Sequence, residues 1–563
     1  MMISRKSFAL IVFTAYFMGL TFFTLGIFGT VDLPGITVLG VTLFLVPALV
    51  SAFDLRRSLS EVPVLISMII PLALANFLYS VRTGLPVGFQ DVHSHIIEAE
   101  TLLTGRGVID FGKAQTVSFS FVGLYVIAWF GSAIANSNVV GVASWLPPAI
   151  DVLLALMVYL VARRIFNRRA AALALIFFAW DNNTILFGHE FRTQTIGTLF
   201  MLGAILVYLS RQEGPRSRVG LAIAGILFLF ALSTTSFVSG IFALVMFTVL
   251  AVVPTLARGA RWIQGGTQYG LFIAFFALYV LYVSTTTYGS PSAVVASIVI
   301  LVRDAFSTPS APVVQVGQQI YGPAVQIFAY GFWLTFGLIS MLILRWRMIR
   351  LDSLSLPILT GLAGTFAVGV GVSAFSILSP GRAYAIGSIL IGLVVGAGLV
   401  TISNRIGAGS RKKFVAACCV LVIMFVAISV AKFPVYVVGN PGPIRGHELI
   451  DDVPTWRLGA ADAEAADFLL AHGKGARLHL DMPVAPYMLL GLYERGFAPA
   501  PPTYDSSGRL LPAQIKVGDL ILLRNSYAGK DYAFRSLLPP ESAYDDFSLI
   551  YTDGDYNLYA VGA

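Results

Sequence analysis

Thirteen apolar runs of roughly membrane-spanning length succeed one another along the first 435 residues, near 7–28, 36–53, 62–80, 139–162, 170–180 with its flanks, 195–210, 219–235, 237–256, 268–285, 325–344, 355–378, 384–403 and 414–435. A helix needs roughly 20 apolar residues to cross a hydrocarbon layer of about 30 Å. The pattern therefore predicts about thirteen transmembrane helices. A further apolar run, 117–135, lies between the third and fourth of these and can be placed in two ways. After residue 435 the pattern changes: a helical period over 460–472 is followed by strand-like runs at 477–481, 518–524, 547–552 and 556–561. The last 128 residues are enough for a core of their own, and an α/β domain is predicted there.

Positive charge decides the placement of 117–135, because short cytoplasmic loops carry an excess of Lys and Arg. The basic loops hold Arg56/Arg57, Arg163/Arg164/Arg168/Arg169, Arg211/Arg216/Arg218, Arg258/Arg261, Arg345/Arg347/Arg350 and Arg405/Arg411/Lys412/Lys413. If 117–135 crosses the membrane, every basic loop after it falls outside. If it lies along the surface, 20 Lys and Arg fall in cytoplasmic segments, Arg5 and Lys6 among them, and 7 in external segments before the tail. The run is therefore expected to be a membrane-surface or re-entrant helix. The N-terminus is then cytoplasmic and the tail external, in a multi-pass protein of the cytoplasmic membrane. Residues 1–435 form the transmembrane domain, with an external loop and surface helices over 81–138, and 436–563 form the external domain.

Composition agrees. The chain is 57% hydrophobic and 12% charged, with a mean hydropathy of +0.81, whereas soluble domains carry roughly 25% charged residues. The net charge of +8 does not point to nucleic acid, since the basic residues sit in short loops and the tail carries 10 Lys and Arg against 16 Asp and Glu. The first run follows Arg5 and Lys6 without a small-residue cleavage site and reads as a retained helix. Cys418 and Cys419, adjacent in an apolar run, make neither a disulfide framework nor a metal site. Glycine-rich phosphate loops, HExxH and paired CxxC motifs are absent, and there is no internal repeat.

Three external segments carry candidate chemistry. The first reads Gly88-Phe89-Gln90-Asp91-Val92-His93-Ser94-His95-Ile96-Ile97-Glu98. Helical spacing puts Asp91, His95 and Glu98 on one face, where an acid beside two histidines can serve as a general base or a metal site, or Asp91 can simply cap a solvated helix. The second reads His189-Glu190-Phe191-Arg192-Thr193-Gln194; Glu190 and Arg192 can orient a charged substrate or form an interfacial ion pair. The third is Ser379-Pro380-Gly381-Arg382, whose arginine fork suits a phosphate or a lipid headgroup. Asp151 lies inside a spanning run after Pro147-Pro148. A carboxylate there needs a partner or a wet cavity, or is protonated and hydrogen-bonded between helices.

In this order the segments resemble the C-superfamily of integral membrane glycosyltransferases, GT-C, particularly its archaeal uncharacterised members. Asp91-Val92-His93-Ser94-His95, followed by Glu98 and Leu102-Leu103-Thr104-Gly105-Arg106-Gly107, is similar to the acidic start of that superfamily's first external loop and its first surface helix. The 117–135 run resembles the second surface helix, Tyr159 to Arg169 the basic cytoplasmic turn, and His189 to Gln194 the second functional loop. Two extra spans precede the acidic loop, and Ser118-Phe119-Ser120-Phe121 stands where a His-Pro-Pro or Lys-Pro entry is usual. Ser233-Thr234-Thr235-Ser236 lacks the lysine that some lipid-A-modifying members use, which weighs against a lipid-A-type substrate.

The resemblance implies a mostly helical polytopic fold and transfer of a hexosyl or pentosyl unit, outside the cytoplasmic membrane, from a polyprenyl-phosphate-linked donor to a lipid, glycan or protein acceptor. Asp91 is then the general base of an inverting transfer and Glu190 its supporting acid or second-loop ligand. His93, His95, Arg192 and Arg382 bind substrate. Some members need a divalent metal and others do not; Asp91, His93 and His95 are the candidate ligands. A transporter or flippase for a lipid-linked glycan is the alternative, but it should place charge at the membrane midplane, and here the charges gather at the external interface, Asp151 apart.

The charge asymmetry yields a topology test. In a background without Cys418 and Cys419, Lys113→Cys and Ser137→Cys should both react with an impermeant thiol reagent in intact cells. Reaction of one position alone contradicts the surface placement of 117–135.

Overall fold

The computed structural model describes residues 5–28, 34–53, 60–83, 122–181, 193–210, 217–258, 355–374, 380–438, 517–524, 548–552 and 556–560, with pieces within 95–99, 270–281, 465–472 and 478–480. The expected span at 325–344 and the loop stretch 286–323 lie outside the described residues. The chain divides into two compact units. One comprises Met1–Pro86, Ser118–Ala311 and Pro323–Gly446, and the other Val87–Val117, Pro312–Gly322 and His447–Ala563.

In hydrocarbon every backbone N–H and C=O needs a partner within the protein, so an apolar run of spanning length folds as a helix. The first unit contains α1 (Arg5–Phe28), α2 (Pro34–Phe44), α3 (Val46–Phe53), α4 (Glu61–Thr83), α5 (Val122–Ala135), α6 (Val139–Ile165) and α7 (Arg168–Ala179). It continues with α8 (Thr193–Ser210), α9 (Ser217–Thr235), α10 (Phe237–Arg258), α11 (Ser355–Ala374), α12 (Pro380–Arg405) and α13 (Ala408–Val438). Five stretches of the described residues are long and apolar enough to cross a membrane: Lys6–Gly26, Gly35–Phe53, Gly141–Ile165, Thr193–Ser210 and Gly387–Arg405. The described helices thus make a multi-pass membrane bundle; thirteen crossings is more than they establish.

One expected span is broken. The run 36–53 forms α2 and α3, separated at Leu45. Pro47 has no N–H and its ring crowds the carbonyl four residues back, which interrupts the helix there. The bonds Leu45 N–H to Val41 O (3.2 Å) and Leu49 N–H to Leu45 O (3.0 Å) carry the ladder across the break, so both halves still serve as one crossing.

Small residues set the helix contacts. A Cβ on Gly19 of α1 would lie 2.4 Å from the Phe44 backbone nitrogen, and one on Gly40 of α2 would lie 2.5 Å from that of Phe23. The two helices therefore touch backbone to backbone at reciprocal glycines. At the centre of the bundle α7, rich in alanine, is buried from Ala170 through Ala179 and packs against α3, α6 and α12. Its contact with α12 is equally close, since a Cβ on Gly396 would lie 2.6 Å from the Ala170 carbonyl oxygen. Outward faces are apolar: Val219, Ile223, Leu227 and Phe230 of α9 are exposed at helical spacing, as a lipid-facing stripe requires.

The second unit contains a four-stranded sheet of β1 (Leu478–Leu480), β2 (Leu520–Arg524), β3 (Ser548–Thr552) and β4 (Tyr556–Ala560) in the order β1-β2-β4-β3. Strand β1 runs parallel to β2, and β4 is antiparallel to both β2 and β3. Consecutive β2 residues Leu520, Ile521 and Leu522 are all buried, so this strand is covered on both faces. Helical residue Phe468 stacks on Tyr551 of β3 with ring centroids 4.3 Å apart. Asp553-Gly554-Asp555 joins β3 to β4, a composition suited to a tight hairpin.

Gly396→Leu would drive a side chain into the α7 backbone. It should destabilise the protein by about 1–3 kcal/mol, the usual range for overpacking, read as a lower Tm in detergent. Gly407→Ala, where a Cβ meets nothing within 4 Å, should leave Tm unchanged.

Candidate functional site

Within the first unit, four helix ends converge. A Schellman turn fixes α5 on α6: Asn136 takes the left-handed conformation at φ +48°, and Ser137 N–H reaches back to the Ser132 carbonyl at 3.1 Å. Asn138 then caps α6, its side-chain oxygen accepting from Gly141 N–H at 2.8 Å. At the other end of α5, Gly123 approaches the end of α9 so closely that a Cβ would lie 2.5 Å from Thr235 Oγ1. The described part of α5 has 14 residues, about 21 Å at 1.5 Å per residue. Leu124, Tyr125 and Ala128 are buried, while Val126, Trp129, Phe130 and Ile134 are exposed.

The first turn of α8 meets the same place. Gly197 lies against Ser236 and Ser239, where a Cβ would come within 2.8 Å of either side chain. Ser236 caps α10 by accepting from Ser239 N–H at 3.2 Å. Ser239 Oγ donates to the Gln194 carbonyl at 3.3 Å, and Thr198 Oγ1 donates to the same oxygen at 2.8 Å. Two hydroxyls thus pin the residue that follows Arg192-Thr193. The loop is anchored at its start as well. Trp180, which ends α7, packs its ring on Phe23 and Phe44 with centroids 6.1 and 5.7 Å away, and Asp181 is buried, its N–H donating to the Phe178 carbonyl at 3.2 Å. The segment carrying Glu190 and Arg192 therefore leaves and enters the bundle at fixed points.

Of the residues singled out in the sequence, Arg382 stands in the first turn of α12. Pro380 opens that helix, where a missing N–H is harmless. His95, in the second unit, is half-buried on a helical piece beside buried Ile96. Asp91, His93, Glu190 and Arg192 lie outside the described residues. Among the described residues no group of three or more His, Cys, Asp or Glu is placed to hold a metal ion. Asp151 has a partner 75 residues away: Asn76 Nδ2 of α4 donates to Asp151 Oδ2 at 2.7 Å. Ser236 belongs to the Ser233–Ser236 turn noted above for its missing lysine, whereas its clasp with Ser239 and the glycines facing it carry no motif. Their signal was there, as small residues at the turn between α9 and α10, but which helix they would meet is a long-range fact.

No protein-family model and no curated protein matches this sequence. Solved structures do. A crystal structure of the Archaeoglobus fulgidus oligosaccharyltransferase tethered with an acceptor peptide containing the NVT sequon superposes with a TM-score of 0.54 at 10% identity, covering 89% of this chain and 74% of that one. The apo form of the A. fulgidus oligosaccharyltransferase gives 0.53 at 14% identity, covering 88% and 74%. The archaeal oligosaccharyltransferase AglB from A. fulgidus, in complex with an inhibitory peptide and a dolichol-phosphate, gives 0.51 at 11% identity; 76% of this chain matches, and it spans 63% of that one. At these identities the likeness is one of fold: this chain has the fold of the A. fulgidus oligosaccharyltransferases.

Proposed function

We propose that this protein transfers a sugar from a polyprenyl-phosphate-linked donor to an acceptor at the external face of the cytoplasmic membrane. The observation that carries the proposal is the fold, matched over most of the chain by oligosaccharyltransferases, one of them holding a dolichol-phosphate and a peptide. The anchored ends of the loop between α7 and α8, and the apolar α5 beside its exit with Trp129, Phe130 and Ile134 exposed, support it. Both lie where the sequence places external chemistry. In this reading α5 lies along the membrane surface, and residues 436–563 form an external domain that contacts the acceptor.

The chemistry assigns the residues. As the acceptor oxygen bonds to the anomeric carbon, the bond to the phosphate oxygen breaks and its electron pair leaves with the phosphate. Positive charge grows on the sugar, and the acceptor hydroxyl loses its proton. Asp91 takes that proton as general base, and its negative charge favours the oxocarbenium-like sugar. Glu190 orients the substrate from the second loop. Arg192 and Arg382 receive the phosphate, Arg382 from the first turn of α12, where a helix start suits an anion. A carboxylate with two imidazoles is a donor set that accepts a divalent ion, so Asp91, His93 and His95 would hold one, which would offset phosphate charge. Without an ion, the two histidines orient the acceptor.

One observation favours a flippase instead, the acid Asp151 in the middle of α6. Transfer and transport are separable through the base. General-base catalysis contributes typically 10²–10⁴-fold, so Asp91→Asn should reduce turnover by about that factor with donor binding intact. Full transfer by a correctly inserted Asp91→Asn protein would remove Asp91 as the base, whereas lipid-linked substrate that crosses vesicles with no transfer in wild type or variant would favour the flippase. Arg382→Ala should weaken donor binding without unfolding the protein, as measured by titration with a polyprenyl phosphate. Unchanged affinity removes Arg382 from the site.

A further inference from the structure

Asp151 stands twelve residues after the start of α6 and fourteen before its end, about 18 and 21 Å from the two ends. It is 1% exposed, and so is Asn76 on α4. Asn76 Nδ2 donates to Asp151 Oδ2 at 2.7 Å. The two remaining oxygens, Asp151 Oδ1 and Asn76 Oδ1, are both buried and have no hydrogen-bond partner among the described residues. An ionised carboxylate and an amide oxygen can only accept, so an ionised pair leaves two buried acceptors without a donor.

No ion pair among the described residues supplies one. The pair described between α4 and α6, Glu61 with Arg163 at 3.0 Å, joins the first residue of α4 to the last turn of α6, and Tyr159 donates to the same Glu61 oxygen. The basic residues of α1, α7 and α12, which pack against α4 or α6, are Arg5, Lys6, Arg168, Arg169, Arg382 and Arg405, all in terminal turns. Helices α2, α3, α5 and α8 carry none, and α4 and α6 themselves add Arg82, Arg163 and Arg164 in their last turns. On α13 they are Arg411, Lys412, Lys413 and Lys432; Arg411 donates to the Phe53 carbonyl at the end of α3, and Lys432 is two turns from the end of its helix. A bare charge at mid-membrane is expensive, as is a buried acceptor left unsatisfied. A single proton removes both penalties. Shared between Asp151 Oδ1 and Asn76 Oδ1, it would cancel the charge and give both oxygens a partner.

We propose that Asp151 is a proton-binding site, held as a neutral carboxylic acid that exchanges two hydrogen bonds with the Asn76 carboxamide and clamps α4 to α6. The clamp fixes the helix that leads into the first external loop, and it removes the charge that Asp151 would offer a transport route. It rests on the pair alone and holds whichever reaction the protein performs.

The test uses the full-length protein in lipid at neutral pH. With carboxyl-labelled ¹³C-aspartate, its infrared spectrum should contain the isotope-shifted carbonyl stretch of a protonated carboxylic acid, lost in Asp151→Asn. Absence of that band in the wild type overturns the proposal and needs no variant. Asp151→Asn keeps a donor and an acceptor in place and should unfold at the wild-type temperature, whereas Asn76→Leu strands the acid and should lower Tm. Equal losses in the two variants contradict the two-way bond. A wild-type Tm that rises in sodium chloride over choline chloride, with no such rise in Asp151→Asn, would assign the site to a metal cation and overturn the proton.

Discussion

In a membrane, hydrocarbon surrounds helices whether they are together or apart, so burying apolar side chains does little to associate them. What remains is close contact and the few polar bonds that lipid cannot offer. The bundle relies on the first of these at its principal contacts. Reciprocal Gly19 and Gly40 bring α1 and α2 together, and Gly396 against Ala170 seats α12 on α7. Because α7 is buried along its length, the close approach of its neighbours positions much of what surrounds it. Trp180, at its end, then has Phe23 and Phe44 to pack against.

From that frame follows the arrangement at one end of the helices. Asp181 and Gln194 hold the two ends of the segment bearing Glu190 and Arg192. Small residues again do the holding, with Gly197 admitting Ser236 and Ser239, and Gly123 admitting Thr235. Hydroxyls there serve as short-range ties: each satisfies a backbone group that lipid would leave unpaired.

Hydropathy and charge made the helices legible, because both are local properties. The runs at 7–28, 139–162 and 219–235 became α1, α6 and α9 with little change, and the four strands of the second unit fall inside the strand-like runs. The break at Leu45 was written in Pro47, yet apolar length alone hid it. Pairings were not legible. Nothing near Asp151 names Asn76, and the serines of the α9–α10 turn drew notice only for the lysine they lack. The second unit joins 87–117 to the tail, a grouping that no local period announces. The acid and histidine motif was visible as chemistry, while its geometry at Asp91 and His93 lies outside the described residues.

The central claim is that the sugar changes its bonding partner, as distinct from its side of the membrane. The most direct measurement incubates the purified protein in detergent, where no second compartment exists, with a polyprenyl phosphate bearing a labelled sugar and a membrane extract as the acceptor source. The account predicts that label moves to a product, polyprenyl phosphate is released in equal amount, and the anomeric configuration is inverted. Label that stays on the lipid in detergent, yet crosses the bilayer when the same protein is placed in vesicles, would contradict it.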